Sequence, residues 1–146
     1  MIQGASSAVL RRQDLNPDAR FGRWGEEAAY WHLRKQGFVM VEKNYRPQGL
    51  RGEIDLIGWD GSTLVFIEVK TRQDSGLLDP DAAVDREKAR NVAAAARQYR
   101  RRAGATEKPF RFDIVSISAK RAAEEGDMEI RHFRDAFREP GHSAGA

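Results

Sequence analysis

The run from Thr63 to Lys70 (TLVFIEVK) constrains this chain more than any other stretch. Leu64, Val65, Phe66 and Ile67 are apolar at consecutive positions, so a strand built from them is apolar on both faces. Such a strand belongs inside a sheet covered on both sides. Covering both faces takes helices, which points to an α/β protein. Glu68 and Lys70 then interrupt the pattern, two residues apart and therefore on one face.

The flanking sequence supplies the other elements. Asn16-Pro17-Asp18 predicts a helix start, with Asn as cap and Pro at the first helical position. That helix is expected to reach about Gln36, ahead of Gly37. Phe38–Tyr45 and Gly52–Trp59 read as strands, and Asp60-Gly61 as a hairpin turn. A second helix is expected from Asp79-Pro80 to about Ala103, with Gly104 ending it. Phe110–Ser118 reads as a buried strand and Met128–Phe133 as an edge strand, with loops over 73–79 and 120–126. The predicted order is α-β-β-β-α-β-β: a mixed β-sheet flanked by helices, in one domain over residues 18–138. Residues 1–17 and 139–146 read as tails, the first of them mobile.

Of the 146 residues, 40% are hydrophobic and 32% charged, which suits a globular chain rather than a disordered one. No apolar run approaches the roughly 20 residues that cross a bilayer, and the N-terminal stretch lacks the features of a secretory signal. A cytoplasmic protein is the expectation. With no cysteine and only 3 histidines, disulfides and Cys-ligated zinc are excluded. Any metal is then expected on carboxylates, which points to Mg²⁺ or Mn²⁺.

The residues that suit such chemistry lie around the central strand. Asp55 precedes Glu68 by 13 residues, and a tight turn between them folds the two carboxylates side by side. Adjacent carboxylates repel unless a cation lies between them. Lys70 beside them completes a set suited to a hydrolytic metal site, although Glu-x-Lys alone also fits a cross-strand ion pair. Glu53 shares the face of Asp55 by alternation, as a supporting acid or a partner for Arg51. In the first helix, Phe21, Trp24, Ala28 and Trp31 form a bulky stripe expected to face the core. Gly22, Glu26, Ala29 and Leu33 form a second, smaller stripe. A carboxylate in such a stripe is costly without a cation, so Glu26 is a third candidate acid. The alternative is a surface glutamate at the stripe's border. Glu27 falls with Arg20, Arg23 and Arg34 on the charged side. Asp113 is expected to form a structural ion pair with Arg111, and His32 to lie on the helix surface.

Charge is unevenly spread. The chain carries +3 overall, yet Asp85–Arg102 alone carries +5. In the second helix Ala89, Val92, Ala96, Tyr99 and Ala103 form the apolar face. Arg86, Arg90, Arg97 and Arg101 fall within about 60° of one another elsewhere, a stripe that spans roughly 22 Å and can track phosphates. A solvated helix face is the plainer reading.

Taken together, FGRWGEEAAYWHLRKQGF, NYR, GEIDLIGWDGSTLVFIEVKTR, DAAVDREKARN and RFDIVSI resemble the YraN-type family of bacterial proteins over roughly residues 20–137. That family is similar to the restriction-endonuclease-like (PD-(D/E)xK) superfamily, and especially to archaeal Holliday-junction resolvases. The resemblance implies a restriction-endonuclease-like fold. It places the catalytic pattern on Glu26, Asp55, Glu68 and Lys70, and implies Mg²⁺-dependent phosphodiester hydrolysis. Asp55, Glu68 and the Val69 carbonyl are then the expected metal ligands. Glu26 is expected to bind through water or to hold a second ion, and Lys70 to position the attacking water. The implied activity is an endonuclease acting on DNA, branched or structured DNA included. The alternatives are a non-catalytic nucleic-acid-binding protein on the same fold, or a partner subunit that uses the Trp-rich helix as its interface. Nucleic acid is the expected partner, with a homodimer also compatible and no membrane.

Overall fold

The computed structural model describes residues 17–73, 85–119 and 128–141. The elements are α1 (Pro17–Lys35), β1 (Val39–Tyr45), β2 (Ile54–Asp60), β3 (Thr63–Gln73), α2 (Arg86–Arg102), β4 (Phe110–Ala119) and β5 (Glu129–Phe137). The strands form one five-stranded sheet in the order β1-β2-β3-β4-β5. Only β3 and β4 pair in parallel, across the connection that contains α2, and the other neighbours are antiparallel. The mixed sheet, the element order and the central place of β3 agree with the sequence reading.

Alternation along β3 divides the core. Leu64 and Phe66 pack with Ile54, Ile57, Phe112 and the alanines of α2. Val65, Ile67 and Val69 pack with Leu56, Val115, Ile117 and the Ala29–Leu33 face of α1. One helix therefore covers each face, as a doubly apolar strand requires. By the same alternation Asp55 and Glu68 point to the α2 side.

Several expectations are corrected. The core face of α1 centres on the buried Gly25, Ala29 and Leu33; of the bulky stripe, Trp24 and Ala28 are partly buried and pack against the core, whereas Trp31 is 50% exposed. Close approach to the sheet favours small residues there, and Trp31 instead lies beneath the Arg34 guanidinium and against Tyr30. The second helix begins at Arg86, not at Pro80. Asp85 is extended (φ −79°, ψ 172°) and its carboxylate caps the helix by accepting from the Lys88 N–H. The expected start at residues 79–80, the loops over 73–79 and 120–126 and most of both tails lie outside the described residues. Ala103 is exposed rather than part of the apolar face of α2. Gly52 precedes β2 with φ +102°, so that strand starts at Ile54. The hairpin turns on Gly61 and Ser62, one residue later than expected, with Asp60 paired to Thr63. Both β3 and β5 run several residues beyond their expected ends.

Asp113 is fully buried and has the expected Arg111 partner, at 2.9 Å. It also accepts from the Asp135 N–H at 2.9 Å and meets His132 Nε2 at 2.8 Å. Burial alone would raise its pKa, but the hydrogen bonds from His132, Arg111 and Asp135 hold it below the ordinary value. Arg111 also bonds Asp60, tying the β2–β3 turn to β4. Among the described residues no helix is long and apolar enough to cross a membrane.

The α1–β3 contact is tightest at Gly25, where an added Cβ would stand 2.2 Å from Thr71 Oγ1. At Gly22 an added Cβ meets nothing within 4 Å. Gly25→Ala is therefore expected to destabilise the fold by about 1–3 kcal/mol through overpacking. Gly22→Ala should be neutral or stabilising by about 0.5–1 kcal/mol. Urea unfolding of the two variants checks this, and equal effects would show that α1 is not seated through Gly25.

Candidate metal and active site

The β2–β3 ladder carries Asp60 opposite Thr63 and Leu56 opposite Ile67. One further step sets Asp55 directly across from Glu68. The Val69 N–H donates to Asp55 Oδ2 at 2.8 Å. On the other side of β2, the β1 register sets Asn44 opposite Asp55, between the pairs Lys43–Leu56 and Tyr45–Ile54. Asn44 is left-handed (φ 51°), an uncommon conformation for a non-glycine residue. Turned with its amide nitrogen toward the acids, it donates to Glu26 Oε1 at 3.1 Å and Glu53 Oε1 at 3.2 Å.

Oxygens of Glu26, Glu53 and Asp55 lie within 4.8 Å of one another. Glu26 reaches them from α1, where the Gly25–Thr71 contact holds the helix against β3. Glu53 is also paired with Arg46 at 2.7 Å, not with Arg51. Glu68 is only 4% exposed. Lys70 Nζ lies 3.4 Å from its Oε2, and Lys88 Nζ, from the first turn of α2, contacts the same oxygen. Asp55, Glu68, Glu53, Lys88 and Asn91 line a cleft of about 520 Å³. Gly52 lets the chain pass close to α2, since a Cβ there would stand 2.9 Å from Asn91 Cβ.

The electrostatics separate this cluster from the Asp113 network. Burial, and then the Glu68 charge, push the Asp55 carboxyl up to about 8 despite the Val69 N–H. Burial and the Glu53 charge likewise raise Glu26. Burial opposes the charge of Lys88, but its hydrogen bond to Glu68 and the charges of Glu68 and Asp55 raise it overall. Asp113 has the partners its charge requires, whereas Asp55 faces acids. Carboxylates held together against their repulsion form an environment that a hard cation relieves. The donors are oxygens alone, with no thiolate in the chain, which fits Mg²⁺ or Mn²⁺ and does not fit a soft metal.

The structure thus brings Glu26, Asp55, Glu68, Val69 and Lys70 together. It leaves the arginine stripe elsewhere. Arg86, Arg90, Arg97 and Arg101 are all exposed. They lie on the side of α2 turned about 160–220° from Lys88. Arg97 is paired with Glu139 at 2.5 Å. Glu27 is on the surface with Lys43, 3.2 Å away. Sequence reasoning missed Lys88 and Asn44. The signal for Lys88 was present: Lys88, Val92, Ala95 and Tyr99 recur at i, i+4, i+7, i+11, the spacing that singled out Glu26. For Asn44 there was none, because its role depends on a left-handed backbone that its strand-like surroundings do not announce.

Asp55 in an unfolded chain titrates near pH ~3.9, well below its folded value of about 8. The folded chain therefore holds a proton over that window that the unfolded chain has lost. This contribution to stability is full below about pH 4 and is lost as pH rises through 8. Relative to wild type in EDTA, Asp55→Asn should gain about 1–2 kcal/mol between about pH 5 and 8.5, allowing for solvent screening of a half-buried group. Denaturant unfolding at both pH values measures it, and a pH-independent difference would show that Asp55 ionises normally.

The profile of the uncharacterised protein family UPF0102 matches residues 25–117. A UPF0102 protein of Solibacter usitatus is 50% identical over 116 residues, covering 80% of this chain and 84% of its own length. A Koribacter versatilis member is 42% identical over 130 residues, covering 89% and 87%. One from Geotalea uraniireducens is 35% identical over 128 residues, covering 88% and 97%.

Proposed function

This chain belongs to the uncharacterised protein family UPF0102, whose name assigns no activity, and we propose that it is a divalent-metal-dependent endonuclease that hydrolyses phosphodiester bonds in DNA. The observation that carries this reading is that Asp55 and Glu68, one step beyond the last β2–β3 ladder pair, line one cleft, with Lys70 on Glu68 and Glu26 and Glu53 converging on Asp55. The chain order of Glu26, Asp55, Glu68 and Lys70 also matches the superfamily that the sequence resembles. In this reading Asp55, Glu68 and the Val69 carbonyl hold Mg²⁺ or Mn²⁺, with Glu26 holding it through water or binding a second ion. When bound, the ion supplies a water of lowered pKa and a counter-charge for the phosphoryl oxygen.

The chain's own groups do the rest. The Val69 N–H fixes one Asp55 oxygen and leaves the other free to act as a ligand. Asn44 orients Glu26 and Glu53 together. Lys70 stands beside Glu68, where an ammonium can hold a water in line with a phosphorus or neutralise charge that develops on the phosphate. The arginine stripe lies on the side of α2 turned away from Lys88 and the cleft, where it would hold phosphates that flank the site.

Mg²⁺-dependent cleavage of duplex, single-stranded, flap and four-way-junction DNA tests the activity. Asp55→Asn and Glu68→Gln should each abolish cleavage, and Glu26→Gln should lower it by about 10–100-fold while Glu27→Gln leaves it unchanged. Wild-type protein without Mg²⁺- or Mn²⁺-dependent cleavage, or equal effects of the two helix substitutions, would refute the assignment.

If the stripe contacts phosphates, Arg90→Gln with Arg101→Gln should lower the slope of log K against log salt by about 2, because each contact releases about 0.9 counterion. The loss should be alike for all DNA sequences and the fold unaffected. Anisotropy titrations at several salt concentrations measure this, and an unchanged slope would mark the stripe as a solvated face.

A further inference from the structure

Two ammonium groups share one buried carboxylate oxygen. Lys70 and Lys88 both meet Oε2 of Glu68, whose side chain is 4% exposed. Their settings differ. Lys70 extends from the middle of β3, and its side chain is 26% exposed. Lys88 extends from the first turn of α2, lines the cleft, and its side chain is 42% exposed. Glu68 is also the acid that stands across from Asp55. A divalent cation between those two carboxylates would be a third cation at the Glu68 carboxylate and add two positive charges, and like charges a few ångström apart repel strongly in a half-buried site. Lys88, which lines the cleft and is the more exposed of the two, is the one that repulsion releases. Lys88 then points its charge into the space where an anion approaching the cation would lie.

We propose that Lys88 is the substrate-phosphate contact of this cleft, held on Glu68 in the free protein and released into the cleft when a divalent cation binds. The inference rests on the metal-dependent reading above and deepens it. Lys88 is a tethered cation that balances Glu68 while no metal does, and then a contact for a phosphate beside the scissile one. Lys70 keeps its place on Glu68 throughout.

Two titrations on the full chain test this without requiring cleavage. Mn²⁺ binding is measured by calorimetry for wild type, Lys88→Gln and Lys88→Arg. Binding of a labelled four-way junction is measured by anisotropy in Ca²⁺ at several salt concentrations. Lys88→Gln should bind Mn²⁺ several-fold more tightly, because the competing charge is gone. Its slope of log K against log salt for DNA should be smaller by about 0.9. Lys88→Arg keeps the charge and should keep the wild-type slope, which separates loss of a phosphate contact from loss of structure. A Lys88→Gln variant with wild-type slope, or with Mn²⁺ affinity unchanged or weakened, overturns the proposal for Lys88 alone. Wild-type protein that binds neither Mn²⁺ nor the junction overturns the metal-dependent reading and this inference with it.

Discussion

A two-residue turn at Gly61 and Ser62 sets Asp60 against Thr63, and from that pair the ladder runs back to Leu56 and Ile67, one step short of Asp55 and Glu68. The whole acidic cleft hangs on this register. A slip of one residue would turn Asp55 to the α1 face and bring Leu56 to the α2 side in its place. The register is protected because both faces of β3 are buried: Leu64 and Phe66 fit only the α2 side, and Val65 and Ile67 only the α1 side. The hydrophobic core thus holds two carboxylates where their own repulsion would separate them.

Among the described residues Asp113, Glu68 and Asp55 are acids at low exposure or high burial cost, and they are treated differently. Asp113 is surrounded by Arg111, His132 and the Asp135 N–H, and joins β4 to β5 and to the β2–β3 turn. That arrangement is complete within the chain. Glu68 is held by two lysines, and Asp55 by a single backbone N–H among acids. Among the described residues the two left-handed non-glycine ones, Asn44 and Asp135, each stand beside one of these aspartates. Backbone strain is thus spent at both places: at Asp135 to complete a structural network, at Asn44 to gather acids.

Much of this was legible in the chain. The doubly apolar run at Leu64–Ile67 announced the central strand, and Glu68 and Lys70 followed from period two. Glu26 emerged from a helical wheel because a carboxylate opened a stripe of small residues. The wheel erred in part on which residues of α1 face the core. Bulk suggested Trp24 and Trp31; Trp24 does pack at the core's edge, but Trp31 is exposed, and at Gly25 the helix lies so close to β3 that no side chain fits beneath it. Such close approach is a property of two elements together and is invisible in one. Lys88 was hidden by its company, since it sits among arginines that point to solvent. The start of α2 was misplaced because Asp79-Pro80 carries the stronger proline signal, whereas Asp85 caps the helix through the Lys88 N–H. Asn44 and the approach of Gly52 to Asn91 depend on backbone geometry and contacts that no periodicity encodes.

The central claim is that these carboxylates form a site for a hard divalent cation. Crystals grown with Mn²⁺ and measured for anomalous scattering test it most directly. The account predicts an anomalous peak about 2.1–2.2 Å from an Asp55 oxygen, shared with Glu68 or with the Glu26–Glu53 pair. A cleft without a peak at saturating Mn²⁺, or manganese bound only at surface acids such as Glu27 or Glu139, would contradict it.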